Sequence, residues 1–486
     1  MPAHSTPTPS PLPGPEFPVT PSWLRGPTGT RDFPPVDFNR RRYIQEAWRR
    51  VSVLHGFDEV DGPAFEHVEM FVRNSGATLA GHAFTFSSRG GEVIFALRPE
   101  FTPTIARMFA ERHAQLPRPT RWFSTGNCFR AEKASSGRLR EFFQWNCDIL
   151  GDSSARADGE IVACCAAMLE RVGLTPADVR IALSDRRVVA CLLTGLGVQA
   201  ARLEEAFDLL DLRGKVPEAR MAKQARELGF DLPAFEALAG GIAANFAAGR
   251  FGSLLSGIDS VVLGGCSGLD ENDLYHLSDL AGELALSGVL RWCDLRLGVV
   301  RGLAYYTGMV FEVEATGTRA GLSLGGGGRY DGLIERFGGP PTPAVGFGIA
   351  DAPLGTLLAE RGLLPSEQAL RSVLGAQPDA IVAIEEPDHE ASDQVPGVLA
   401  TLRGVGVHAR RARATGRAAA GAETAETGAR FCIVLTGGSV AEVTDGAMPT
   451  AKPRQVGLGE LANVILAEKL RPSGSPQARA VATTTN

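Results

Sequence analysis

Two neighbouring segments of the chain read as β-strands that a short loop joins: RWFSTGNCFRAE at 121–132 and REFFQWNCDILG at 140–151. The loop contains turn-forming residues, among them Ser135, Ser136 and Gly137, so the pattern predicts an antiparallel pair. A second β-rich block follows at 292–362. We expect the two blocks to share one mixed or antiparallel sheet that forms the centre of the molecule.

The polar residues at the loop end of this hairpin suit a nucleotide. Arg130 can hold a phosphate or a carboxylate through two parallel hydrogen bonds. Glu132 can accept a hydrogen bond from an exocyclic amine, and Phe142 can stack on a ring. The alternative is a surface hairpin with paired charges, and these residues alone do not decide between the two.

Further polar residues suit a small amino-acid-like ligand. Gln144 and Asp148 lie four positions apart on a strand, so they point the same way and can reach one polar ligand together. The segment LRPEFT at 97–102 adds Glu100 and Thr102 near a strand end, where they can bind an ammonium group. For each residue the alternative is a polar group that is satisfied within the core.

Two later segments carry weaker signals. RGLAYYTG at 301–308 supplies Arg301 and the adjacent Tyr305 and Tyr306; on a strand these tyrosines face opposite sides, so one of them lines a pocket. SLGGGGRYDG at 323–332 resembles a phosphate-binding glycine run, but it lacks the spacing of a P-loop and no lysine follows it. Close packing of strands explains these glycines better.

Size and composition limit the class of protein. At 486 residues the chain can form two or three domains, and its net charge of -6 means that a nucleic-acid partner must be recognised locally. The eight cysteines form no CxxC pair and show no metal-ligand spacing with histidine, which argues against structural zinc and a disulfide framework and favours a reduced, cytoplasmic setting. The absence of an apolar run of about 18 residues predicts no membrane span.

The chain divides into regions by pattern. Residues 1–22 are rich in proline and predict a disordered tail without a secretory signal. Residues 23–355 form the β-rich core, interrupted at about 175–290 by a helical insertion. A linker at 356–376 follows. Alternating strands and helices at 377–472 predict a small α/β domain, and 473–486 form a polar tail.

The order of the motifs resembles that of the class II histidyl-tRNA synthetases from about residue 25 to residue 350. The motifs are GTRDF at 29–33, a long helix and strand ending at Pro63, LRPEFT, the FRAE hairpin, RGLAYYTG, GGGGRYDG and AVGFGI. The small C-terminal domain looks like the anticodon-binding domain of that family. The resemblance implies an α+β fold with a class II antiparallel sheet, a helical insertion and a small α/β domain.

This resemblance implies roles for the candidate residues. Arg130 would bind the α-phosphate and the substrate carboxylate, and Arg301 matches the catalytic arginine. The adenine would contact Glu132 and Phe142. The histidine would contact the residues Glu100, Thr102, Arg130, Gln144, Asp148, Arg301, Tyr305 and Tyr306.

The implied activity is that of a histidine-tRNA ligase, which uses ATP and Mg²⁺ to convert L-histidine to histidyl-adenylate and transfers it to tRNA(His). The implied mechanism is in-line attack of the histidine carboxylate on the α-phosphorus. No protein side chains are predicted as dedicated metal ligands. A homodimer is expected, because the long helix and the strand that ends at Pro63 form the subunit interface in similar enzymes.

The sequence departs from the family at three places. Pro353 occupies the position of the arginine that binds the ATP γ-phosphate, and Arg329 or another basic group would have to replace it. Proline at the first position of a helix would leave the fold intact. Ala304 replaces an acidic residue before the tyrosines. Residues 379–471 contain 10 Lys and Arg against 12 Asp and Glu, although Arg410, Arg411, Arg413 and Arg417 retain some positive charge.

These departures support an alternative function. The chain would then be a catalytically impaired synthetase paralogue that senses histidine, similar to the regulatory subunit of ATP phosphoribosyltransferase in histidine biosynthesis. Arg301 and the C-terminal domain favour the ligase, whereas Pro353 and Ala304 favour the sensor.

Overall fold

The computed structural model describes residues 24–74, 81, 83–88, 90–133, 137–214, 216–255, 271–299, 305–386, 389–448 and 452–470. The chain divides into two compact units. The first contains the residues up to Phe33 and Ile44–Leu363, and the second contains Pro34–Tyr43 and the residues from Leu364 onward. The predicted tails at 1–22 and 473–486 lie outside the described residues.

The chain begins with a long helix and a small sheet. The elements are α1 Pro35–Leu54, β1 Asp58–Glu59, β2 Phe65–His67, α2 Val68–Asn74, β3 Thr85–Ser87, β4 Ile94–Leu97 and α3 Thr102–Arg112. Helix α1 buries Ile44, Ala47, Trp48 and Val51, whose spacing of three and four residues predicts one apolar face. Strands β2, β4 and β3 pair antiparallel in that order. Strand β4 ends at Leu97, so LRPEFT lies at a strand end, as the sequence predicted.

The main sheet has eight strands among the described residues, in the order β1-β5-β6-β11-β10-β9-β7-β8. The remaining strands are β5 Thr120–Phe129, β6 Glu141–Leu150, β7 Val179–Asp185, β8 Cys293–Leu295, β9 Met309–Ala315, β10 Ser323–Arg329 and β11 Ala344–Ala350. All neighbours pair antiparallel except β1 with β5 and β7 with β8. Strands β5 and β6 pair over their full length, so the hairpin and the shared sheet are confirmed.

The helices of the first unit follow these strands. They are α4 Ala155–Arg171, α5 Arg186–Gly195, α6 Leu203–Asp211, α7 Glu218–Leu228, α8 Leu232–Ala247, α9 Glu271–Leu286, α10 Leu333–Arg336 and α11 Asp351–Glu360. Strand β7 pairs with β9 and β8 in the main sheet, so the helical insertion expected at about 175–290 starts after Asp185. Cys191 on α5 is disulfide-bonded, which the cysteine spacing did not predict.

Helix α1 supports one face of the sheet behind β6. The rings of Trp48 and Trp145 are stacked with their centroids 6.0 Å apart, and Trp145 Nε1 donates a hydrogen bond of 2.9 Å to Ser52 Oγ. Because side chains alternate along a strand, the neighbours of Trp145 point to the opposite face. The even-numbered residues of β6 are therefore free to form a site there.

The glycines of β10 permit close pairing of strands. A Cβ at Gly325 or Gly327 would collide with the backbone carbonyl oxygen of Gly348 or Gly346 on β11. The run lies within an antiparallel strand that pairs with β9 and β11, and it forms no phosphate-binding loop. The expectation that these glycines serve strand packing is confirmed.

The second unit contains a mixed sheet of order β13-β12-β14-β15-β16. Its elements are α12 Glu367–Val373, β12 Ala380–Ile384, α13 His389–Gly404, β13 Ala409–Arg411, α14 Arg417–Thr427, β14 Phe431–Leu435, β15 Val440–Asp445, β16 Arg454–Gly457 and α15 Leu461–Lys469. The sequence did not predict β15 and β16. Residues 356–376, interpreted as a linker, contain the end of α11 and all of α12.

Candidate active site

A cavity of about 330 Å³ lies on the face of the main sheet opposite Trp145. It brings together most of the residues that the sequence singled out. Those that line it are Glu100, Thr102, Arg130, Glu132, Phe142, Gln144, Tyr305 and Tyr306. Asp148 lies beneath its wall, and the predicted residues Arg301 and Ala304 lie outside the described part of the chain.

A buried carboxylate and two tyrosines form part of the cavity lining. Tyr305 Oη donates a hydrogen bond of 2.9 Å to Glu100, and both side chains are buried. Burial raises the pKa of Tyr305 well above its usual value, so the hydroxyl keeps its proton and remains a donor. Thr102, the first residue of α3, is buried beside them.

Both tyrosines contribute to the cavity, contrary to the prediction that one would face away. The prediction assumed a strand, but Tyr305 and Tyr306 precede β9 in a turn and irregular segment. Their ring centroids lie 5.0 Å apart at an interplanar angle of 62°. Outside a strand, successive side chains need not point to opposite sides. Both rings can therefore lie in the same wall of the cavity.

Asp148 is a fully buried acid with one strong partner. Tyr330 Oη donates a hydrogen bond of 2.6 Å to Asp148 Oδ1, while Oδ2 is buried without a hydrogen-bond partner among the described residues. Burial raises the pKa of Asp148 to about 7, because a charged carboxylate is poorly solvated there. Oδ2 is therefore a buried acceptor that no described group satisfies.

Tyr330 and Asn146 line the cavity and were missed by the sequence analysis. Gln144 Nε2 donates a hydrogen bond of 2.6 Å to Asn146 Oδ1, which orients its carboxamide. Tyr330 follows the glycine run within GGGGRYDG. This segment was interpreted only through its glycines, so no role was predicted for the tyrosine. Asn146 could have been predicted, because it lies two residues from both Gln144 and Asp148 and therefore shares their face of β6.

Glycines on β11 make room for these polar side chains. Gly346 lies opposite Asp148, and Gly348 lies opposite Asn146. A Cβ at Gly346 would collide with the Asp148 carboxylate, and one at Gly348 would collide with the Gln144 carboxamide. The long polar side chains of β6 can therefore lie flat across the neighbouring strand and reach the cavity.

An arginine and an aromatic ring also line the cavity. Arg130 Nε donates a hydrogen bond of 3.0 Å to the Pro99 carbonyl oxygen, and the guanidinium carbon lies 5.2 Å from the centroid of the Phe142 ring. The ring is mostly buried, so the guanidinium is held over a rigid surface. This arrangement leaves the Nη donors of Arg130 available to a ligand with negative charge.

Pro353 lines the cavity as the third residue of α11, not as the first, as predicted. Proline fits there, because the first turn of a helix has no intrahelical acceptors for its N–H groups. A Cβ at Gly137 would lie 3.9 Å from Pro353 Cβ. The adjacent Arg138 also lines the cavity, and its side chain is 74% exposed.

Arg329 cannot replace an arginine at position 353, and that part of the prediction is wrong. Its side chain is 1% exposed and forms an ion pair of 2.6 Å with Asp158, away from the cavity lining. Of the lining residues that the structure describes, Arg130 and Arg138 are basic and Glu100, Glu132 and Glu312 are acidic. The described part of the cavity thus carries more negative than positive side chains.

Comparison with known proteins identifies relatives of the whole first unit. The family model for histidyl-tRNA synthetase matches residues 29–352. The histidine-tRNA ligase of Halobacterium salinarum is 36% identical over 368 residues, which is 75% of this chain and 80% of that protein. The chloroplastic and mitochondrial histidine-tRNA ligase of Arabidopsis thaliana is 34% identical over 363 residues, covering 74% and 70% of the two chains.

Solved structures share the fold. Histidyl-tRNA synthetase from Nostoc sp. matches with a TM-score of 0.69 at 20% identity and covers 92% of this chain and 99% of that one. An ATP phosphoribosyltransferase regulatory subunit/histidyl-tRNA synthetase from Bacillus halodurans matches with a TM-score of 0.65 at 23% identity, covering 86% and 100%. At these identities the structures support the α+β architecture alone.

Proposed function

The chain belongs to the histidyl-tRNA synthetase family, and from this premise we propose that it is a histidine-tRNA ligase. It activates L-histidine with ATP and transfers the histidyl group to tRNA(His) in the cytoplasm. The observation that carries this proposal is that one cavity is lined both by Glu100 with the tyrosines and by Arg130 over Phe142. We assign the first group as the amino-acid end and the second as the nucleotide end. Such a cavity accommodates an amino acid beside a nucleotide.

The amino-acid end suits histidine. Glu100 and Thr102 bind the ammonium group, with Glu100 oriented by the Tyr305 hydroxyl. Asp148 Oδ2 accepts from an imidazole N–H, and the rings of Tyr305 and Tyr306 cover the imidazole faces. An analogue without that N–H leaves a buried acceptor unpaired, which weakens its binding and makes the site selective for histidine.

The nucleotide end supports adenylate formation. The histidine carboxylate oxygen attacks the α-phosphorus, a new O–P bond forms, and the bond to pyrophosphate breaks. Arg130 contacts both the carboxylate and the α-phosphate, so it aligns the reactants and stabilises the charge that develops on the phosphoryl oxygens. Glu132 and Phe142 hold the adenine, and Arg301 is proposed as a second catalytic arginine by resemblance.

Mg²⁺ is the expected metal, because it binds triphosphates through hard oxygen ligands and commonly needs one or two carboxylates from the protein. Glu312 on β9 extends into the cavity and fits this requirement. When bound, the metal would neutralise phosphate charge during the displacement. Glu312 would then be a ligand of the ion, a role that the sequence did not predict.

The direct test is histidine-dependent exchange of pyrophosphate into ATP by the purified protein. Arg130→Ala should reduce exchange by about a hundredfold or more, since it removes a contact to the transition state. Lys133→Ala is the control, because Lys133 is exposed nearby and does not line the cavity. Exchange that is equal in wild type and Arg130→Ala would exclude Arg130 as the catalytic group.

A second function is favoured by Pro353. With a proline on the cavity wall and Arg329 buried, ATP receives little positive charge from the described residues. In this alternative, the chain is a catalytically impaired paralogue that senses histidine as a regulatory subunit of ATP phosphoribosyltransferase. Histidine binding by calorimetry without any exchange would support this function and overturn the ligase.

A further inference from the structure

Asp158 on α4 is a fully buried carboxylate outside the cavity, and three elements meet at it. It accepts hydrogen bonds of 3.0 and 2.6 Å from Nε and Nη2 of Arg329 at the end of β10. On its other side, His276 Nε2 of α9 lies 2.6 Å from Asp158 Oδ2. The three side chains are 0%, 1% and 12% exposed, so the contact is shielded from water.

The guanidinium of Arg329 is held on all sides. Besides Asp158, Nη1 donates to the Asp152 carbonyl oxygen at 2.9 Å and to Asp331 Oδ1 at 3.2 Å, and Nη2 donates to the Ser154 carbonyl oxygen at 3.3 Å. Each N–H group of the side chain thus has an acceptor. A shift of Asp158 must therefore shift Arg329 as well.

Arg329 is linked to two walls of the cavity. Its carbonyl oxygen accepts from Thr307 N at 2.8 Å and from Thr307 Oγ1 at 3.3 Å, which fixes the segment directly after Tyr306. The next residue in the chain is Tyr330, whose hydroxyl donates to Asp148. A displacement of Arg329 therefore reaches both the tyrosine wall and, through Tyr330, the buried Asp148.

We propose that His276 is a positioning residue for the amino-acid end of the cavity. Through Asp158 and Arg329 it holds Tyr330 and the segment of Tyr305 and Tyr306 in the geometry that binds histidine. The affinity for histidine therefore depends on how α9 is packed against α4. This inference rests on the proposed function, because it takes histidine as the ligand of the cavity.

The physical reason is the cost of an underpaired buried charge. Without His276, Asp158 Oδ2 keeps a long contact of 3.4 Å to Arg329 Nε. A buried carboxylate that loses a close donor pulls its remaining partner towards itself. Arg329 then moves towards α4, and the hydrogen bonds of Thr307 and Tyr330 are strained or broken.

The test is calorimetric binding of L-histidine, without ATP, to the full chain. His276→Ala should raise the Kd for histidine about tenfold, the effect of losing one charge-assisted hydrogen bond, and leave the Kd for ATP unchanged. His276→Gln retains a donor at a similar reach and should restore the affinity to within about threefold. Tyr275→Ala is the control, because Tyr275 is exposed on the same helix.

A double-mutant cycle with Tyr330→Phe separates positioning from a general loss of stability. If both residues act through Asp148, the combined loss of histidine affinity is smaller than the product of the single losses. Two results would overturn this inference and leave the proposed function intact. One is that the single losses of affinity multiply, and the other is that His276→Ala has a lower melting temperature but wild-type histidine affinity. A wild-type chain that binds no histidine would remove the proposed function together with it.

Discussion

Pro353 lies on the cavity wall in the first turn of α11, where the resemblance leads us to expect an arginine. Arg138 also lines the cavity, and its side chain is largely exposed and 3.9 Å from Glu132. Exposed charges are screened by water and salt, so Arg138 by itself neutralises a triphosphate weakly. The side chain at position 353 should therefore set the affinity for ATP.

Pro353→Arg should lower the KM for ATP in the exchange reaction about tenfold, because a guanidinium there gains a charge-assisted contact to phosphate. The KM for histidine should not change, since Glu100 and Asp148 are untouched. Pro353→Gln is the control for a long polar side chain without charge. Equal gains for Arg and Gln would show that proline acts through shape and not through missing charge.

Asp148 gives the stability of the first unit a dependence on pH. Burial raises its pKa to about 7 in the folded chain from an ordinary value of 3.8. Between these values the folded state binds the proton more tightly than the unfolded state. The free energy of unfolding therefore falls as the pH rises through this window, and the loss is complete above the folded pKa.

Asp148→Asn removes this titration and keeps the shape of the side chain. Relative to wild type, its free energy of unfolding should rise by roughly 1 to 3 kcal/mol between about pH 4.5 and about pH 7.5. Urea unfolding at both pH values measures the difference. Parallel pH profiles for wild type and variant would show that Asp148 titrates normally in the folded chain.

Helix α14 and its surroundings differ in charge from what a nucleic-acid surface requires. Arg417 contacts Glu442 at 2.5 Å and Glu385 at 3.4 Å, and Arg413 forms an ion pair with Glu426. Phosphates would have to displace these carboxylates before they could bind the arginines. Two of the four arginines that the sequence analysis named in this unit, Arg413 and Arg417, are thus paired with carboxylates, which argues against them as an anticodon-binding surface.

Glu426→Gln should raise the affinity for tRNA(His) about twofold to threefold, because it frees Arg413 at an exposed position where ion pairs are weak. The salt dependence of binding should steepen by about 0.7 to 0.9 in log-log slope, as expected for one additional phosphate contact. Glu460→Gln controls for the change in net charge, because Glu460 is exposed and forms no ion pair among the described residues. Identical binding by both variants would exclude Arg413 from the interface.

Exposed apolar residues on α1 and the small sheet support a homodimer for the whole molecule. Val53 and Leu54 at the end of α1 are 47% and 63% exposed, and Phe65 and Phe86 on the small sheet are 47% and 43% exposed. The rings of Phe65 and Phe86 lie 5.5 Å apart, so they form one patch. Contiguous apolar patches of this kind mark association surfaces. Helix α1 belongs to the segment from which the sequence predicted the interface, whereas the small sheet does not.

Val53→Glu combined with Leu54→Glu should convert a dimer into a monomer in sedimentation velocity, because two charges would be buried without partners. Leu286→Glu is the matched control, since Leu286 is 87% exposed on α9, away from these elements. A wild-type monomer, or a double variant that remains dimeric, would contradict this assignment of the interface.

Some helices and strands could be predicted from the sequence, and others could not. The α1 helix, the β5–β6 hairpin and the alternating elements of the second unit follow from local periodicity, which a short segment carries by itself. The strands β15 and β16 have weaker patterns and were missed. Strand β7 was assigned to the insertion, because its pairing with β9 joins residues that are far apart in the chain.

The sequence by itself determined the residue types available at the cavity and their order along the chain, because Gln144 and Asp148 must share a face of any strand that contains them. Only the tertiary structure decided which groups meet. Tyr330 donates a hydrogen bond to Asp148, 182 positions away in the chain, and Arg329 forms an ion pair with Asp158 outside the cavity. The glycines of β11 leave room for the side chains of Gln144 and Asp148. Such contacts depend on strand order and close packing, which local sequence does not encode.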